Sequence, residues 1–160
     1  MKTETLSLSA QKVQDALVAA GLDCTVIEFS DSTRTSAEAA ERVGCQLGQI
    51  VKSLIFRGQE TGKPVLVLTS GANRVDEARI SQIAGERIGR ADPEFVRSVS
   101  GYAIGGVPPI GHSQQILTYI DEDLLQYQTI WAAAGTPNAV FELTPQVLVN
   151  LTGGLVLQVK

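Results

Sequence analysis

Along this chain, apolar residues recur every three or four positions in some segments and run together in others, and that change of period marks out the elements. Between Leu8 and Ala20, Val13, Leu17 and Ala20 share one helical face, and Gly21 supplies the stop. Cys24 to Phe29 is a short run of strand formers, followed by a polar loop from Asp31 to Thr35. Thr35 and Glu38 then have capping-box spacing for a second helix, which Gly44 ends. Gln49 to Arg57 and Pro64 to Ser70 are apolar, β-branched runs joined by a turn-rich connection at 58–63, the pattern of an antiparallel hairpin. Asn73 or Asp76 opens a third helix carrying Val75, Ile80, Ile83 and Ala84. Asp92-Pro93 starts a fourth, closed by Gly101. Strands follow at Ile116–Ile120, Ile130–Ala133 and Ala139–Leu143, then a helix from Thr144-Pro145 and a terminal strand at Leu155–Val159.

Two strand pairs follow each other without an intervening helix, so the strict βαβ rhythm of an all-parallel sheet is missing. The expectation is an α+β, mixed α/β domain: a mixed, barrel-like sheet of six or seven strands flanked by helices. With no repeat and no long linker, residues 1–160 read as one domain.

Composition narrows the class. The chain is 44% hydrophobic and 19% charged, as in ordinary globular proteins. It has neither an apolar run of membrane-helix length nor, at Met1-Lys2-Thr3-Glu4, the start of a signal peptide, so a cytoplasmic location is expected. Cys24 and Cys45 read as small core residues rather than a disulfide. The net charge of −4 argues against a general nucleic-acid coat; an RNA partner would have to be held by a local positive rim.

Lys52 breaks the pattern. Alternation places it on the strand face of Ile50, Leu54 and Phe56, opposite Val51, Ser53, Ile55 and Arg57. If that face is interior, its ammonium borders an apolar cavity and must meet an anion, carbonyls or water. An edge lysine that reaches solvent, or pairs with a carboxylate such as Asp121, satisfies the same pattern.

Gly101-Tyr-Ala-Ile-Gly-Gly-Val-Pro-Pro-Ile-Gly-His112 combines glycines that permit close backbone approach with prolines that stiffen the chain. Such a loop is either a structural turn or a cradle of N–H groups for a carbonyl or phosphate oxygen. It is neither a Walker loop nor a dinucleotide fingerprint. The sequence has no Gly-x-Ser-x-Gly elbow and no Cys-x-x-Cys pair, and His112 is its only histidine. No metal and no cofactor are therefore expected, and a Cys45–His112 dyad is a minor alternative. Asp121, Glu122 and Asp123 read as a helix-start cluster.

Gln49-Ile-Val-Lys52-Ser-Leu-Ile-Phe56, the 101–112 loop, Asp121, Trp131-Ala-Ala-Ala-Gly135-Thr-Pro-Asn138-Ala-Val-Phe141 and Leu151-Thr-Gly-Gly154 occur in one order from about Thr35 onward. As a set they resemble the YbaK-like, or prolyl-tRNA synthetase-associated, editing family. The resemblance implies a barrel-like mixed sheet and hydrolysis of mischarged aminoacyl-tRNA, acting in trans on the acceptor end, with an aminoacyl-tRNA synthetase as a further partner. It implies that Lys52 is the functional lysine and that Gly105 and Gly106 offer backbone amides to the developing oxyanion. Ile104, Gly111, His112, Asp121, Gly135 and Asn138 would line or support the substrate site, Asn138 falling where some relatives carry a histidine. It implies further that the substrate's own ribose hydroxyl, rather than a protein nucleophile, activates the water. The competing reading is a non-catalytic module of the same fold that binds tRNA, a nucleotide or a synthetase.

Overall fold

The computed structural model describes residues 5–31, 33 and 35–160. The expectation drawn from Met1–Glu4, and Ser32 and Arg34 of the polar loop, lie outside the described residues. The helices are α1 (Leu8–Ala19), α2 (Ser36–Val43), α3 (Glu77–Ala84), α4 (Pro93–Ser100) and α5 (Pro145–Thr152). The strands are β1 (Val26–Glu28), β2 (Ile50–Gly58), β3 (Pro64–Ser70), β4 (Ile88–Arg90), β5 (Leu117–Asp121), β6 (Ile130–Ala133), β7 (Ala139–Leu143) and β8 (Leu155–Leu157). Short 3-10 turns occur at Leu47–Gln49 and Glu122–Gln126.

Each helix starts on a side-chain cap: Ser7, Thr35, Asp76, Asp92 and Thr144 accept a first-turn N–H. Each such cap contributes about 1 kcal/mol. The third cap falls to Asp76, which frees Asn73 for another task. Glycines 44, 85, 101 and 153 close four helices in the left-handed conformation that a Cβ disfavours.

The eight strands form one mixed sheet in the order β1-β7-β6-β2-β3-β5-β8, with β4 attached to β2. β2–β3 and β6–β7 are antiparallel hairpins, whereas β2–β6, β3–β5 and β5–β8 are parallel. The architecture is therefore α+β as expected, with two corrections. The sheet is not closed into a barrel: β1 and β8 stand at its two ends. β4 is an additional strand; three residues cannot display alternation, and its place is decided by pairing with Phe56–Gly58.

Helices cover both faces. The main core joins Val13 and Leu17 of α1, Val96 and Val99 of α4 and Leu148 of α5 to Val51, Ile55, Leu66, Leu68 and Phe141 of the sheet. On the other face, α3 packs Ile80 against Phe56, Val65 and Val67, while α2 packs Ala39 and Ala40 against Ile50. All seven residues of β3 are buried, as expected of a central strand covered twice. Lys52 lies between the α2 and α3 contacts, on the face with two separate covers.

Candidate functional site

The sheet is split beside Lys52. On one edge, β2 pairs with β3 from Val51 to Arg57; on the other it pairs with β6 only at Ile50 and Val51, and with β4 only from Phe56 to Gly58. Among the described residues, no strand pairs with residues 52–55 on that side. Gly58 N–H donates to the Lys63 carbonyl (2.9 Å) and Gly71 N–H to that of Ile50 (2.7 Å). Backbone groups of alternate residues point the same way in an antiparallel pair, so even-numbered β2 residues turn toward β3. The main-chain groups of Ser53 and Ile55 then face the gap.

A cleft of about 920 Å³ opens there, with Lys52, Ser53 and Leu54 in its wall. Its floor is apolar, from Ala39, Ile50, Phe56, Trp131 and Val140, and Ile104, Gly105 and Pro137 close the facing side. Among the described residues, the charged ones in its wall are Lys52, Arg74, Arg90 and Glu77. Among the described residues, three cations against one carboxylate give this cleft a positive character on a chain whose net charge is −4.

Lys52 is half-buried. Its Nζ donates to the Asn73 main-chain carbonyl at 2.6 Å and has no further hydrogen-bond partner among the described residues. Burial, then the neighbouring Arg74 guanidinium, lower its pKa below the usual lysine value; Asp121 opposes them. One ammonium proton is thus committed and two remain for a ligand oxygen.

The glycine-rich loop leaves α4 through Gly101 and is shaped by positive φ at Gly101, Gly105 and Gly111. Gly105 lines the cleft. The Gly106 amide donates to the Ala103 carbonyl (3.0 Å), and its own carbonyl accepts from Gly135 N–H (2.8 Å). A Cβ on Gly106 would sit 2.7 Å from Thr136 Cα, and one on Gly135 2.6 Å from the Ser9 carbonyl oxygen. Both glycines are there for backbone contact.

Comparison with known proteins gives this geometry a family. The aminoacyl-tRNA editing domain matches residues 30–151. The chain belongs to that family. It is 37% identical over 123 residues to YwhH of Bacillus subtilis, covering 77% of this chain and 78% of that protein. To EbsC of Enterococcus faecalis, named as a candidate Cys-tRNA(Pro)/Cys-tRNA(Cys) deacylase, it is 30% identical over 127 residues, covering 79% and 77%. A crystal structure described as a candidate trans-editing enzyme for prolyl-tRNA synthetase superposes with a TM-score of 0.93 at 49% identity, covering 98% of this chain and 99% of that one. At family level the function is thus aminoacyl-tRNA editing, in keeping with the names that EbsC and the superposed structure carry. The YbaK-like resemblance is borne out.

Within this editing domain the structure brings Lys52, Ile104 and Gly105 into the cleft wall. The other sequence-nominated positions stand behind it or elsewhere. Asp121 is 1% exposed and, besides accepting from Asp123 N–H as cap of the 3-10 turn, receives Ser70 N–H (3.0 Å) and the Asn73 amide (2.9 Å). The Asn138 side-chain amide donates to the Phe29 carbonyl and tethers β1 to the β6–β7 turn. His112 is held at Nε2 by the Pro108 carbonyl (2.6 Å), and burial lowers its pKa, so the ring is neutral near pH 7. Neither His112 nor Gly111 lines the cleft; Gly111 faces Tyr102 and Ala16. Cys45 packs against the cluster of Ala39, Ala40 and Ile50, its thiol pKa raised by burial, which is the reverse of what an activated dyad requires. Cys24 is likewise a free, half-buried thiol. Among the described residues no helix is long and apolar enough to cross a membrane.

Sequence reasoning missed Arg74 and Arg90 as site residues and the structural use of Asn73. Arg74 follows a turn and Arg90 ends a three-residue strand, so neither has a period to betray which way it faces.

Proposed function

We propose that this editing domain, taken as the whole of residues 1–160, hydrolyses the ester of a mischarged aminoacyl-tRNA in trans, in the cytoplasm, with the acceptor end in the cleft and a synthetase as a further partner. The observation that carries this reading is Lys52: a half-buried ammonium with two uncommitted protons in an apolar-floored cleft at a split sheet edge. An aminoacyl ester is already activated, so hydrolysis needs a placed water and stabilisation of the developing oxyanion rather than a protein nucleophile. Lys52 meets the terminal phosphate or the ester carbonyl, and Arg74 and Arg90 hold the strand leading to it. With the Gly106 amide spent on Ala103, the amide donors open to the oxyanion are those of Gly105 and of the bare edge at Ser53 and Ile55. The free ribose hydroxyl of the substrate takes a proton from the attacking water while passing its own to the departing ester oxygen, so that the acyl C–O bond breaks and the amino acid leaves a ribose with both hydroxyls restored.

The test is a deacylation screen of purified protein against alanyl-, seryl-, threonyl- and cysteinyl-tRNA, repeated with Lys52→Ala. Release of at least one amino acid, reduced about a hundredfold in the variant, supports the reading. Binding of acceptor stems without release of any amino acid overturns it in favour of a non-catalytic module.

A further inference from the structure

Lys52 does not hold its own position. The group that receives its ammonium is a main-chain carbonyl, that of Asn73, in the turn just after β3. The main-chain N–H and carbonyl of Asn73 and its side-chain NH2 are all engaged. Its N–H donates to the Ser70 carbonyl (2.9 Å), and its side-chain amide donates to Asp121 Oδ2 (2.9 Å) and Asp123 Oδ2 (2.7 Å). Asp121 is in turn anchored by Ser70 N–H at 3.0 Å, and Lys160 braces Asp123 from outside at 3.0 Å. Ser70 Oγ donates to the Gly48 carbonyl (2.7 Å), tying the same turn to the 3-10 segment that enters β2.

From this arrangement we infer that Asn73 is a positioning residue of the editing site. Two carboxylates on the far side of the turn grip its amide, and the grip aims its carbonyl at the Lys52 amine. Hydrogen bonds to charged groups are worth roughly twice neutral ones, so two of them from one amide fix a short side chain firmly. The division of labour has a physical reason. A carboxylate placed directly on Lys52 would neutralise the charge that the substrate needs, whereas a carbonyl orients the ammonium and leaves its charge unpaired. Asp121 and Asp123 thus act on Lys52 through a neutral intermediary.

This inference rests on the hydrolytic reading, and two independent measurements separate their fates. The first needs no activity: competitive acetylation of the folded protein, with the yield at Lys52 compared by mass spectrometry with that at Lys12 and Lys63. Asn73→Ala removes the grip, and the relative reactivity of Lys52 rises about tenfold, the size of one hydrogen bond to a charged group. Asp123→Asn, a surface change that keeps an acceptor, gives a smaller rise and serves if Asn73→Ala does not fold. Unchanged Lys52 reactivity in a folded Asn73→Ala or Asp123→Asn variant overturns the inference whether or not the protein is a deacylase. The second measurement is a double-mutant cycle on deacylation. Asn73→Ala lowers kcat about tenfold with KM nearly unchanged in the parent, and has no further effect in Lys52→Ala. An equal loss in both backgrounds shows that Asn73 does not act through Lys52 and also overturns it.

Discussion

The two walls of the cleft are made rigid by different means. On the Lys52 side, order comes from hydrogen bonds: a strand paired along β3, and an ammonium aimed by the Asn73, Asp121 and Asp123 network. On the facing side, main-chain hydrogen bonds from Gly106 to Ala103 and from Gly135 to Gly106 join a path set by the covalent chain. Positive-φ glycines set the path of residues 101–111, Pro108 and Pro109 remove freedom from it, and Gly106 and Gly135 let two backbones touch. A charged group needs partners to be held in a partly dry place, whereas a wall that presents main-chain atoms needs only close approach and stiffness. The same chemical change should therefore do different damage on the two sides.

The largest effects test that contrast. Lys52→Ala should lower kcat about a hundredfold and leave Tm unchanged or higher, because the half-buried ammonium is disfavoured by desolvation; a large fall in Tm would show that Lys52 holds the wall up. Gly135→Ala should do the reverse, with a loss of stability as the primary effect. Its Cβ meets the Ser9 carbonyl at a φ of 99°, a combination that costs about 3 kcal/mol and lowers Tm by about 10 °C in a thermal melt.

Gly105→Ala sharpens the comparison. Its added Cβ meets nothing nearer than Pro137 Cγ at 3.7 Å, so only the strain of positive φ remains, about 1 kcal/mol. It should melt well above Gly135→Ala. Arg74→Ala should raise KM about fivefold at low salt, and the gap should close as salt is added, since an exposed cation contributes through screened charge.

The smallest effect is in the stability–pH curve. Burial lowers the pKa of His112 from 6.5, so below that value the unfolded chain takes up a proton that the folded chain resists. Stability should fall as pH drops through this range, and His112→Gln should flatten that part of the curve in denaturant titrations. A curve identical to that of the parent would mean that the ring titrates freely in the folded protein.

Much of this fold is written locally. Thr35, Asp92-Pro93 and Thr144-Pro145 announce helix starts because capping is settled within four residues, and Gly44 and Gly101 announce ends for the same reason. The β2–β3 hairpin is legible because both strands keep an apolar pattern over seven residues or more. Lys52 is legible as an exception to that pattern. His112 and Asn138 were nominated as pocket residues by likeness in sequence order, and in the structure they hold the Pro108 and Phe29 carbonyls away from the cleft wall. Order along the chain does not encode the direction in which a loop side chain turns.

By itself, then, the sequence determined the capped helices, the central hairpin and the one lysine out of step with its strand, since each depends on neighbours a few residues away. Only the tertiary structure decided that β6 and β4 leave the middle of β2 bare, that Arg74 and Arg90 gather at that gap, and that Asn73 is gripped by Asp121 and Asp123 from about fifty residues away. Those features arise where distant segments meet, and the energy that selects them belongs to the assembled sheet rather than to any stretch of the chain.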